Sequence, residues 1–203
     1  MASGPYKPSK VLLIRHGEKL GDAADDETGG HNLSVEGSAR ATALPALFAP
    51  AGPELDCKID AGSSSFQASY GTQPLNGPAP RFSTPDFIFA TADSKHSYRP
   101  RETATPTAMA LAVPFDATSY SNSDKDIEKL VTDITSKQQY DGKVVLVCWH
   151  HGTMGKLAAQ FGVANPPPWH GTVFDRVWVI DFSQSPLIVQ DQPQMLLFND
   201  SQT

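Results

Sequence analysis

The chain has 203 residues, of which 39% are hydrophobic, and this length suits a single domain. Its longest apolar run, Val144 to Trp149, is far shorter than the roughly 20 apolar residues that a transmembrane helix requires. The net charge of -6, without any cluster of basic residues, disfavours nucleic acid and anionic membranes as partners. Because the amino terminus lacks the apolar stretch of a signal peptide and two cysteines are too few for a disulfide framework, we expect a cytoplasmic protein.

Short apolar segments alternate with segments of helical periodicity, which predicts an α/β fold. We expect a three-layer sandwich in which helices flank a mostly parallel central sheet. In chain order the predicted elements are a strand at Lys10 to Ile14, a helix at Val35 to Phe48, a strand at Phe87 to Thr91, helices at Pro100 to Ala112 and Ser123 to Gln138, a strand at Lys143 to Trp149, a helix at Thr153 to Phe161 and a strand at Arg176 to Phe182. Leu187 to Val189 and Met195 to Phe198 are predicted to pair as a hairpin at the sheet edge.

The segment from Pro50 to Asp86 departs from this alternation. It contains six prolines, four glycines and five serines, which is typical of a loop. Loops longer than about 12 to 15 residues are uncommon in compact domains unless they are disordered or functional. We therefore predict one domain over residues 1–203 with an insertion at residues 50–86, which is either a flexible excursion or a lid over a pocket.

Polar side chains follow three of the predicted strands. Arg15-His16-Gly17 comes directly after the first strand, and His150-His151-Gly152 follows the third. Arg99 lies at the strand-to-helix junction after the second strand. Because ligand sites in such sheets form at the carboxyl ends of the strands, we expect these side chains to share one site.

The sequence resembles the histidine phosphatase superfamily, which is also called phosphoglycerate mutase-like. The resemblance covers most of the chain, from Val11 to about Phe182, in the order and at the spacings of the family. The motifs that carry it are Arg15-His16-Gly17, Leu33-Ser34-Val35-Glu36-Gly37, Arg99 with Thr103-Ala104, and His151-Gly152.

The resemblance implies that His16 is a nucleophile that attacks phosphorus and becomes a phosphohistidine. The phosphoryl oxygens would be met by guanidinium groups, imidazole and main-chain N–H groups, since these compensate the charge that builds up on them. The phosphate-binding residues would be Arg15, Arg99, His151, Gly17 and Gly152, with His151 also acting in catalysis. No metal ion or other cofactor is implied, and the partner would be a small phosphorylated molecule.

The residue that protonates the leaving group is not assigned by the sequence. Mutase-like members carry a glutamate for this purpose, but Val113 to Ser123 offers only Asp116. Glu18 and His150 are the candidates by proximity to the motifs, and a histidine with an ordinary pKa near 6.5 is suited to such a role. The other residues near the motifs are interpreted as surface residues, namely His31, His96, Lys19, Lys95 and Arg101. His170 is interpreted as part of a rigid structural turn before the fourth strand.

These observations favour a metal-independent phosphatase of a small phosphate monoester. The missing acidic segment makes a phosphoglycerate-type mutase less favoured. Two alternatives stay open: a phosphate-binding pseudoenzyme, and acid–base chemistry by His16 and His151 on a non-phosphorylated metabolite. A metal centre is disfavoured because no spacing of the H-E-x-x-H type occurs. The substrate and the oligomeric state stay undetermined at this level.

Overall fold

The computed structural model describes residues 5–21, 30–49 and 80–201, in which helices flank a six-stranded sheet. The strands are β1 (Lys10–Arg15), β2 (Phe87–Ala90), β3 (Phe115–Asp116), β4 (Val144–Trp149), β5 (Arg176–Asp181) and β6 (Gln190–Pro193). The helices are α1 (Val35–Ala43), α2 (Pro45–Phe48), α3 (Arg99–Leu111), α4 (Asp124–Ser136) and α5 (His151–Gln160), with a short 3₁₀ turn at Gln138–Tyr140.

The sheet has the strand order β3-β2-β4-β1-β5-β6. Its first four strands are mutually parallel, whereas β5 runs antiparallel to β1 and β6 runs antiparallel to β5. β1 is buried from Val11 onwards because it lies between β4 and β5 with helices over both faces. The predicted α/β class with a mostly parallel sheet is confirmed.

The protein has three layers, because an apolar cluster on each face of the sheet packs helices against it. Alternate residues of β1 enter different clusters: Leu13 faces α4 and α5, whereas Ile14 faces α1, α2 and α3. Ile127 and Leu130 of α4 are fully buried in the first cluster, as their helical spacing predicts. Because successive side chains of a strand point to opposite faces of the sheet, adjacent residues at the end of β1 lie in different surroundings.

Several helix boundaries follow from local chemistry. Ser123 is the N-cap of α4, as predicted, and its side chain accepts a hydrogen bond from the backbone of Asp126. The predicted helix from Val35 to Phe48 is divided at Leu44, because Pro45 has no N–H to continue α1 and begins α2 instead. Pro106 lies inside α3, which begins at Arg99.

The predicted terminal hairpin is wrong. Neither Leu187 to Val189 nor Met195 to Phe198 is a strand, and the edge of the sheet is formed by Gln190–Pro193. This edge strand is mostly polar and pairs with β5 through its main chain, so side-chain hydrophobicity gives no signal for it. The two-residue strand β3 was missed because it is too short to show a periodicity.

Most of the predicted insertion at residues 50–86 lies outside the described residues, and the prediction of a loop or lid is not tested. The single-domain organisation likewise stays a prediction. Within the described ranges, no helix is long and apolar enough to cross a membrane.

Candidate active site

The ends of β1, β2 and β4 lie side by side because main-chain hydrogen bonds continue past the strands. The N–H of His16 donates to the carbonyl of Trp149 at 3.2 Å, and the N–H of Thr91 donates to Cys148 at 3.2 Å. The rings of His16 and His150 consequently meet edge to face, with centroids 5.3 Å apart and an interplanar angle of 70°. Two segments that are more than 130 residues apart in sequence thus place their imidazoles in contact.

The orientation of the His16 ring is set by its neighbour. Its Nδ1 lies 2.8 Å from the carbonyl oxygen of Gly17. A carbonyl only accepts hydrogen bonds, so Nδ1 must carry the proton, and in the neutral ring the lone pair is on Nε2. His16 is fully buried, which holds this orientation. The backbone contact therefore determines which ring nitrogen of His16 carries the lone pair.

The loop after His16 is fixed to α3 and α1. The N–H of Gly17 donates to Thr103 Oγ1 at 2.8 Å, and the Thr103 hydroxyl donates to the carbonyl of Arg99 at 2.8 Å. A Cβ at Gly17 would lie 2.9 Å from the Gly37 carbonyl oxygen, and a Cβ at Gly37 would overlap the backbone of Glu18. Glycine at both positions therefore lets two backbone segments approach each other.

Gly152 is in a different environment from Gly17. A Cβ added at Gly152 would meet no heavy atom within 4 Å. Protein packing therefore requires glycine at position 17 but not at position 152.

Arg15 is fully buried and held by the segment that precedes β5. Its Nη1 donates to the carbonyls of Gly171, at 2.5 Å, and Val173, at 3.1 Å. Its guanidinium carbon lies 3.7 Å from the ring centroid of Phe174, whose ring centroid is 6.2 Å from that of His16. The sequence does not identify Phe174 as a site residue, because a single aromatic residue before a strand is typical of ordinary core packing.

Arg99 is the first residue of α3 and is fully buried, and its Nη1 donates to the carbonyl of Gly30 at 2.6 Å. The N–H of Tyr98 donates to the His31 carbonyl at 2.8 Å, and the two rings stack with centroids 5.3 Å apart. The exposed His31 therefore lies beside the Arg99 segment. Arg101, by contrast, forms a partly exposed ion pair with Asp93 at 2.9 Å.

His151 begins α5, two residues earlier than predicted, and His150 is its N-cap with an extended backbone. The indole N–H of Trp149 donates to Thr153 Oγ1 at 3.1 Å, and the Thr153 hydroxyl donates to Asn122 Oδ1 at 2.5 Å. These bonds attach the loop before α4 to the first turn of α5. The N–H groups at the start of α5 make this end of the helix favourable for an anion.

Glu18, the acidic candidate for proton transfer, and Asp116 each have other partners. Glu18 binds Arg40 through both carboxylate oxygens, with contacts of 2.6 to 3.0 Å. Burial alone would raise the pKa of Asp116, but hydrogen bonds from Ser119 and Thr118 outweigh it, and the pKa of Asp116 is lowered. Its carboxylate is therefore ionised at neutral pH and is a poor proton donor.

The remaining predicted residues are distributed around the site. The interpretation of Lys19 as a surface residue is wrong, because the residue is buried and lines a cavity of about 430 Å³ together with Glu18 and Phe174. Lys95 and His96 are exposed as expected, and His170, which was predicted in a structural turn, is also exposed. In the part of the chain that the structure describes, no group of three or more His, Cys, Asp or Glu side chains is placed to hold a metal ion.

No family model and no curated protein matches this sequence. Among solved structures, an Escherichia coli K-12 protein provisionally named alpha-ribazole-5'-P phosphatase has a TM-score of 0.51 at 15% identity, over 91% of this chain and 95% of its own. An Agrobacterium tumefaciens protein provisionally named phosphohistidine phosphatase SixA has a TM-score of 0.41 at 18% identity, over 86% of this chain and 92% of its own. The Escherichia coli structure therefore shows that this chain shares its fold.

Proposed function

We propose that this protein is a phosphatase that hydrolyses a small phosphate monoester without a metal ion, through a phosphohistidine on His16. The observation that carries the proposal is the contact between His16 Nδ1 and the Gly17 carbonyl at 2.8 Å, which leaves the lone pair on Nε2. A neutral imidazole with a fixed orientation is a competent nucleophile toward phosphorus. Arg15, the adjacent residue in the chain, supplies a buried guanidinium beside it.

In the first step the Nε2 lone pair attacks phosphorus in line with the ester bond. The P–N bond forms while the P–O bond to the leaving group breaks, and the bonding electrons go to the leaving oxygen. Charge on the three phosphoryl oxygens is stabilised by Arg15, Arg99 and the start of α5. The carbonyls of Gly171 and Val173 orient Arg15 but, being neutral, do not cancel its charge.

The leaving oxygen needs a proton, and we assign its delivery to His150. The acids within reach in sequence are engaged: Glu18 in an ion pair with Arg40, and Asp116 as an ionised acceptor in its own loop. The His150 ring touches the His16 ring, which puts it beside the reacting phosphorus. A histidine with an ordinary pKa near 6.5 can give up and regain its proton around neutral pH, which suits a general acid.

In the second step a water oxygen attacks the phosphohistidine. The P–N bond breaks, its electrons return to Nε2, and the proton of the water passes to His150, which was left neutral by the first step. We assign His151 as a hydrogen-bond donor to the phosphate, since it begins α5 at the same end of the sheet. The cycle ends with inorganic phosphate and the starting protonation states.

The test is the hydrolysis of a panel of phosphate monoesters with and without a chelator, together with phosphoenzyme trapping. Labelled substrate is mixed with enzyme and quenched in detergent at alkaline pH, where a phosphoramidate bond survives. We expect chelator-resistant turnover and label on the wild type, and no label on His16→Ala. The surface variant His96→Ala is the matched control, since His96 is exposed.

Equal slow phosphate release by wild type and His16→Ala would overturn the proposal. Saturable phosphate binding without label or turnover would identify a binding protein instead. Loss of turnover in the chelator would contradict the metal-independent step. For His150→Gln, we expect the label to persist with an activated aryl phosphate, because a good leaving group does not need the proton.

A further inference from the structure

A second cleft, of about 150 Å³, is bordered by the segment that holds Arg15. Trp169, Trp178 and Arg176 line it, with Val173 and Asp191. Val177 pairs with Ile14 across β1 and β5, so Arg176 is beside Arg15 at the same end of the sheet. The cleft is nevertheless distinct from the phosphate site, because neither His16 nor Arg99 lines it.

Arg176 supplies an unused donor in this cleft. The residue is 9% exposed, and its Nε donates to Asp191 Oδ1 at 2.8 Å. Its Nη1 is buried and has no hydrogen-bond acceptor among the described residues. A buried guanidinium N–H without an acceptor is costly, so such a group is normally satisfied by something outside the protein.

Asp191 does not remove the need for a second acceptor. It binds the Nε edge of the guanidinium, whereas Nη1 is on another edge of the planar group. The carboxylate of Asp191 is 44% exposed, so solvent shares its charge. A guanidinium presents five donors and binds acceptors on more than one side.

The walls of the cleft define the rest of the ligand. Trp169 and Trp178 pack with ring centroids 4.8 Å apart, and Trp169 is anchored by its indole N–H to the Val173 carbonyl at 2.8 Å. A cavity of about 150 Å³ is the size that accommodates benzene in another protein. We propose that this cleft is a binding site for a small carboxylate with a flat apolar body, whose carboxylate accepts from Arg176 Nη1 while its ring contacts the two tryptophans.

The test follows the three indole N–H signals of the protein by NMR, since the chain has three tryptophans. Benzoate is the probe, and benzamide is its uncharged isostere. We expect benzoate to shift the signals of Trp169 and Trp178 saturably, without an equal shift at Trp149. Benzamide should bind at least about tenfold more weakly, as expected when a charge-assisted hydrogen bond is lost.

Two arginine variants locate the ligand. Arg176→Met should abolish the benzoate shifts, whereas Arg99→Met should leave them unchanged, because Arg99 does not line the cleft. Arg176→Lys keeps the charge and serves as the second variant if the methionine variant does not fold. It should weaken binding without removing the shifts, since a lysine lacks the planar fork.

Three outcomes would overturn the site. Equal binding of benzoate and benzamide would show an apolar cleft without carboxylate recognition. Loss of the shifts in Arg99→Met but not in Arg176→Met would place benzoate in the phosphate site. If benzoate gives no saturable shifts up to about 50 mM, it does not bind in the cleft and the proposed site is wrong. None of these outcomes depends on phosphatase activity.

Discussion

Two buried arginines within one half of the fold are held in opposite ways. Arg40 is 3% exposed and binds carboxylates: Glu18 at 2.6 Å and Asp200 at 2.7 Å. Arg15 is also buried, but its Nη1 donates to the carbonyls of Gly171 and Val173. The acceptors thus differ in charge although the donor is the same chemical group.

The charge of the acceptors determines what each arginine can do. Burial alone would lower the pKa of Arg40, but its bonds to Asp200 and Glu18 outweigh burial and raise it, so that the charge of Arg40 is compensated within the protein. Carbonyls fix the direction of a guanidinium and leave its charge to act on a ligand. One short segment serves both centres, since Arg15 and His16 face the site and Glu18 faces Arg40.

Arg40→Met should break the structural centre with the largest effect. Two buried carboxylates would lose their cation, and we expect the free energy of unfolding to fall by roughly 3 to 5 kcal/mol. Arg101→Met is the control, because its pair with Asp93 is partly exposed and contributes about 1 kcal/mol or less. Urea denaturation followed by circular dichroism measures both. Equal losses in the two variants would contradict the contrast.

Arg99→Met should reduce the activity strongly and the stability less than Arg40→Met does. Removing one donor to a developing oxyanion lowers kcat by about 10² to 10³, whereas the free energy of unfolding should fall less than in Arg40→Met. Arg101→Met again serves as the control, since the two arginines are separated by one residue. Phosphate release under saturating substrate measures the effect. A kcat within threefold of wild type would remove Arg99 from the phosphate site.

Alanine should affect the stability differently at Gly37 and at Gly152, by smaller amounts than the arginine variants do. The added Cβ at Gly37 would overlap the Glu18 backbone, so we expect a loss of roughly 1 to 3 kcal/mol in unfolding free energy. The Cβ at Gly152 meets nothing within 4 Å, and alanine is favoured in a helix by about 1 kcal/mol. Thermal unfolding distinguishes them, and an unchanged Tm for Gly37→Ala would contradict the close approach.

Acid should weaken the Arg40 centre through Asp200. Burial would raise the pKa of Asp200, but the bonds from Arg40 and from the backbone of Leu197 and Leu196 lower it below the ordinary value of 3.8. A depressed pKa in the folded state means that the stabilisation is present above pH 3.8 and is lost as the pH falls through the folded pKa.

The matched variant for this pH dependence is Asp200→Asn. Urea midpoints measured from pH 7 to pH 2.5 should show wild type more stable above about pH 5, with the difference narrowing in acid. A constant difference across this range would show that Asp200 does not titrate with folding.

The parts of the fold predicted from the sequence are those with strong local signals. β1 and β4 are continuous apolar runs, and α4 combines a Ser123 N-cap with buried residues at helical spacing. These signals depend only on neighbouring residues. The start of α5 was predicted two residues late because no side chain caps it and His150 gives no N-cap signal.

The site was only partly predictable for the same reason. The motifs identified Arg15, His16 and Arg99, whose order in the chain carries the resemblance. Phe174 and the Gly171 carbonyl, which position Arg15, belong to a segment more than 150 residues away and have no pattern of their own. The role of Glu18 was equally hidden, because its partner Arg40 is defined by the packing of α1.

The ladder between β1 and β4 has a consequence for how this fold can diversify. Six consecutive register pairs, followed by the bond from His16 to Trp149, make the separation of the two imidazole segments a property of the backbone. Neighbouring strands are about 4.8 Å apart whatever their side chains are. Loop sequences around the rim can therefore vary while the two histidine segments keep their spacing.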